Sequence, residues 1–129
     1  MSSVINASIS SNGIVSTADA SGILLCQSNG VTTNARAWAN FNGTAATLTN
    51  GYNISSITRN STGSYTLAFT TAMTNANYVI TSGNGRAPWV TGNDDVSTSN
   101  TVSAFVLRLT DTGGTNQDYT KVYCAIFGS

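Results

Sequence analysis

The run ARAWANFNGTAATLTNGYNISSITRNSTGSYTLAFTTAMTNANY, Ala35 to Tyr78, decides how the chain folds, and its clearest piece is Ser64 to Thr71. There Tyr65, Leu67 and Phe69 alternate with Ser64, Thr66, Ala68 and Thr70. Successive side chains of an extended chain point to opposite faces, so the three large apolar groups share one face of a strand. Just upstream, Asn60-Ser61-Thr62-Gly63 carries turn chemistry, and Asn53 to Arg59, with Ile54 and Ile57, is a second strand candidate. Two strands joined by a short Gly-containing loop read as a β-hairpin.

Working outward, the same period recurs. Ala35 to Asn42 sets Ala37, Ala39 and Phe41 against Arg36, Trp38 and Asn40, and Asn77 to Ser82 is a further strand. Thr101 to Thr110 places Phe105, Leu107 and Leu109 on one face. In Tyr119 to Phe127, Val122, Cys124 and Ile126 oppose Tyr123, Ala125 and Phe127, so both faces are apolar and the strand is expected to be central. Six or seven strands with turns between them predict an all-β chain, a jelly-roll-like β-sandwich over residues 35–129. Residues 1–34 hold only short apolar clusters, such as Val4-Ile5, Ile14-Val15 and Ile23-Leu24-Leu25, among Ser, Asn and Gly. They are expected to form a short N-terminal β-arm that serves docking and trimerisation.

Composition supports this class. Ser, Thr and Asn account for 52 of 129 residues and Glu is absent, which disfavours helix interiors. Only 8% of residues are charged, Pro occurs once and eleven aromatics are spread along the chain, which sets it apart from disordered sequences. The five basic residues, Arg36, Arg59, Arg86, Arg108 and Lys121, are widely separated and net charge is zero. No basic stripe exists to displace counterions from a phosphate backbone, so no nucleic-acid partner is expected. No apolar run is long enough to span a bilayer, and MSSVINASISSNG has neither the charged nor the apolar region of a secretory signal. Cys26 and Cys124 sit in strand-like runs and are expected to be reduced.

Candidate chemistry is sparse. His is absent, so the usual base for activating a nucleophile is missing. Asp94 and Asp95 are neighbours that an extended chain points apart, and Asp111 and Asp118 flank a Gly-rich turn, where acids serve as turn caps. No catalytic, cofactor or metal set is expected, although Asp94 and Asp95 with nearby carbonyls offer hard oxygen ligands without the spacing of a calcium loop. Four Asn-x-Ser/Thr sequons begin at Asn6, Asn42, Asn53 and Asn60, a number such a composition yields by chance. The stretch GNGRAPWVTGNDDVSTSN, Gly83 to Asn100, is the longest irregular one. Long loops in compact domains are commonly functional. Arg86, Trp89, Asp94 and Asp95 are therefore the candidate receptor-binding residues, with Trp89 either stacking on a ligand or plugging the end of the sandwich.

The segments ARAWANFNGT (Ala35 to Thr44), YNISSITRNSTGSYTLAFTTAMTNANYVI (Tyr52 to Ile80) and VYCAIFG (Val122 to Gly128) together resemble a β-domain at the C-terminal ends of bacteriophage tail-fibre and other virion proteins, notably of phages infecting cyanobacteria and marine bacteria. TADASGILLCQSNG (Thr17 to Gly30) is similar to the strand-turn units that precede this domain. The resemblance implies a non-enzymatic, usually trimeric protein on the virion surface. A chain of 129 residues opening on Met leaves no room for a shaft, so it is expected to dock onto another virion component, capsid or tail. The expected function is a tail-fibre, receptor-binding structural protein facing a host-surface glycan or protein. The alternative is a capsid decoration protein that stabilises or coats the shell.

Overall fold

The computed structural model describes residues 27–28, 31–32, 34–85, 90–93 and 100–128, with 27–28, 31–32 and 90–93 described for their backbone alone. The expected N-terminal arm lies almost wholly outside the described residues. Of it they include Asn34 and a two-residue ladder, β1 (Gln27–Ser28) antiparallel to β2 (Val31–Thr32).

Eight further strands follow: β3 (Ala37–Asn42), β4 (Thr47–Tyr52), β5 (Ile54–Ser61), β6 (Ser64–Phe69), β7 (Val79–Asn84), β8 (Val90–Asn93), β9 (Ala104–Thr110) and β10 (Val122–Phe127). They form two four-stranded antiparallel sheets, ordered β4-β3-β10-β7 and β5-β6-β9-β8. The chain is an all-β sandwich, as the alternation predicts. The hairpin read from Asn53 to Thr71 is β5–β6, and β10 is central, between β3 and β7.

Each alternating strand buries the face the sequence marks. Ala37, Ala39 and Phe41 of β3, Tyr65, Leu67 and Phe69 of β6, Phe105, Leu107 and Leu109 of β9, and Val122, Cys124 and Ile126 of β10 line the space between the sheets. Phe41 meets Tyr65 across that space edge to face, with ring centroids 5.4 Å apart. Phe69, Tyr78 and Phe105 form a second aromatic group at 5.6–6.4 Å. Burying each such side chain contributes about 1.5–3 kcal/mol, which makes this core the main source of stability.

Two strands differ from the sequence expectation of six or seven. Thr47–Tyr52, which the alternation does not mark, is the edge strand β4, with Leu48 turned toward the core. The irregular stretch 83–100 is also shorter than expected. Gly83 and Asn84 finish β7, and Val90–Asn93 pairs with Leu107–Thr110 as β8. The chain thus passes between the sheets four times, from β4 to β5 through Asn53 and then from β6 to β7, from β7 to β8 and from β9 to β10.

Candidate binding surface

The four expected contact residues, Arg86, Trp89, Asp94 and Asp95, lie outside the described residues. Their neighbours are placed: β7 ends at Asn84 on the edge of one sheet, and β8 forms the edge of the other.

The described acids serve structure. Asp111 Oδ1 accepts from the Gly113 and Thr115 N–H groups at 2.9 Å each, capping a turn as expected. Asp118 does more than cap. Its Oδ1 accepts from the Gly63 N–H at 2.8 Å and from the Tyr65 hydroxyl, while Oδ2 accepts from Arg59 Nε at 2.9 Å and Nη2 at 2.6 Å. Arg59 Nη2 also donates to Thr62 Oγ1 at 3.0 Å. The carboxylate therefore ties the β5–β6 turn to the segment between β9 and β10. Burial alone would raise its pKa, but the hydrogen bonds from Arg59, Gly63 and Tyr65, with the Arg59 charge, outweigh this and hold it at about 2. Burial, then the bond to Asp118, pushes Tyr65 well above the ordinary phenol range. With both oxygens doubly occupied, Asp118 is a pin rather than a proton-transfer group.

The surface that stands out is the outer face of the β4-β3-β10-β7 sheet. The register sets Tyr52, Trp38, Ala125 and Thr81 side by side across the four strands. One row along lie Asn50, Asn40, Tyr123 and Gly83, and one row the other way Phe127 pairs with Val79. Trp38, Tyr52, Tyr123 and Phe127 are each 37–43% exposed and Val79 is 63% exposed. Four aromatic rings thus gather on one solvent-facing sheet, with Trp38 at the centre and no charged side chain among these rows. The opposite sheet presents Ser56, Thr58, Asn60, Thr66, Val106 and Arg108 outward, a hydroxyl- and amide-rich surface. Exposed apolar residues scattered singly are ordinary, whereas a contiguous group marks a contact site.

Between β7 and β10 this aromatic face dips into an open depression of about 220 Å³, lined by Thr81, Ser82, Gly83, Tyr123, Cys124 and Ala125. It exists because Gly83 and Ala125 bring almost no side chain beside the Tyr123 ring. A Cβ built at Gly83 meets only Tyr123 Cδ2, at 3.6 Å.

Sequence reasoning missed this face, although its signals were there. Trp38 sits on the polar side of β3, and a central position alone explains the second apolar face of β10. Comparison with family models, with curated proteins and with solved structures finds no match to this chain.

Proposed function

We propose that this protein is a non-enzymatic bacteriophage virion protein of tail-fibre, receptor-binding type, exposed on the particle and docked onto another virion component. The observation that supports it best is the uncharged aromatic face around Trp38. Interface cores are enriched in Trp, Tyr and Phe and depleted in charge, and this face has that make-up. The tail-fibre resemblance supports the same reading: its three segments contain all of β3, β5, β6 and β10, two of which carry the aromatic face. Arg86, Trp89, Asp94 and Asp95 are proposed as further receptor contacts, separate from this face. The N-terminal residues 1–34 make the protein a homotrimer and dock it to the particle.

Antibody labelling of purified virions by electron microscopy tests the proposal. Label at the tail tips is expected. Label spread over the shell points instead to capsid decoration, and particles without label overturn the virion assignment. Light scattering of the purified protein should give three subunits, and one subunit after removal of residues 1–34. A full-length monomer contradicts the trimer.

A further inference from the structure

We infer that the outer face of the β4-β3-β10-β7 sheet binds an uncharged glycan, with one sugar ring seated in the depression beside Tyr123 and the chain running over Trp38 toward Tyr52. The inference rests on the receptor-binding reading and adds to it the ligand class and the place where it binds.

Three features select the ligand. The first is charge. The rows around Trp38 carry none, and among the described residues the nearest cations, Arg36 and Lys121, flank β3 and β10 at opposite ends of the face. Six residues of strand separate those ends by about 20 Å, beyond the screening length of about 8–10 Å, so they make no joint anion site. The second is the mixture of groups. Aromatic planes alternate with the carboxamides of Asn40 and Asn50 and the hydroxyl of Thr81. Sugars present apolar C–H faces to rings and hydroxyls to amides, whereas a purely apolar partner would strip water from the Asn40 carboxamide and from Asn50 Nδ2, whose own Oδ1 already accepts from the Gly51 N–H at 2.9 Å, and give nothing in return. The third is shape. The depression is smaller than the ~300–1,000 Å³ of a drug-sized pocket and open along the sheet, which suits one ring of a longer polymer. Neighbouring strands lie about 4.8 Å apart, so Tyr123, Trp38 and Tyr52, on three successive strands, form a continuous track.

The test is a glycan array carrying neutral, sialylated and sulfated oligosaccharides, probed with the full-length protein. Neutral glycans should be retained, and Tyr123→Ala should weaken that binding at least tenfold with an unchanged melting temperature. Gly83→Val is the second variant. It removes no aromatic group, suits a strand and fills the depression, so it too should cost at least tenfold. Retention of acidic glycans alone, of no glycan, or of neutral glycans equally by both variants overturns the inference. So does a change in subunit number on Trp38→Ala, which would make the face a contact between copies. Antibody labelling of virions is independent of all these outcomes, so the virion assignment and the glycan site can fail separately.

Discussion

Asp118 and Asn53 show how much of this sandwich hangs on single polar side chains outside its core. The Asp118 carboxyl is held at about 2, below its ordinary 3.8, so it stabilises the folded state when ionised. The sign follows from linkage: a depressed folded pKa gives stability that is complete above about pH 4 and is lost as pH falls toward 2. A shift of one pH unit is worth about 1.4 kcal/mol, and the half-exposed Arg59 side is screened by water, leaving on the order of 1–2 kcal/mol. Asp118→Asn should therefore lower the melting temperature by roughly 5 °C at pH 7, and the gap from wild type should close by about pH 2. A gap that persists at pH 2 contradicts the pin. Cys124 gives a second check at this scale. It is a buried free thiol on β10, pushed by burial up to about 12. In a Cys26→Ser variant, Cys124 should resist a thiol reagent at pH 8 in the native state and react fully in denaturant. Rapid native labelling would place it at the surface instead.

At the scale of elements, the passage from β4 to β5 depends on Asn53. Its φ of 56° is left-handed, where Asn is better tolerated than most residues. Its Nδ2 donates to the Arg36 and Thr71 carbonyls at 3.2 and 3.1 Å, and its Oδ1 accepts from the Thr71 N–H at 2.7 Å. One side chain thus holds the entry to β3, the β4–β5 step and the exit from β6. Asn53→Ala should cost about 2–4 kcal/mol in a denaturant titration, from lost hydrogen bonds and left-handed strain. Asn53→Gly, which keeps the backbone, should cost about 1 kcal/mol less, and equal losses would remove the strain from the account. The same sequon amide is fully engaged, so its role here is structural. Gly63 plays the matching part at the β5–β6 turn, with φ of 70° and no room for a Cβ, which would collide with the Leu109 carbonyl oxygen. These elements also show what sequence can convey. β6, β9 and β10 are plain in the alternation because each buries three large groups. β4, TLTNGY, hides because an edge strand buries little, and its Gly and Asn read as turn. β8 hides inside a Gly- and Asp-rich stretch, since its pairing with β9 is a backbone property. The Asp118 pin joins residues 53–59 positions apart, a separation no local pattern reports.

For the molecule as a whole, the two sheets differ in what they show to solvent, and that asymmetry is the basis of the functional account. The hydroxyl-rich face of the β5-β6-β9-β8 sheet suits hydration. The aromatic face of the other suits recognition, carried by two central strands, β3 and β10, whose inner sides are locked in the core. Its aromatic residues were legible one by one, but their meeting depends on β10 lying between β3 and β7, a long-range topology that alternation does not encode. The most direct test is competition for adsorption, with purified protein added to susceptible cells before the phage. Wild-type protein should block adsorption, and Trp38→Ala should need at least tenfold more protein, equivalent to about 1.4 kcal/mol of lost contact. If neither protein competes, or both compete equally, the receptor-binding account fails. Particles that lack the protein, adsorb normally and lose heat resistance would mark it as a capsid decoration protein.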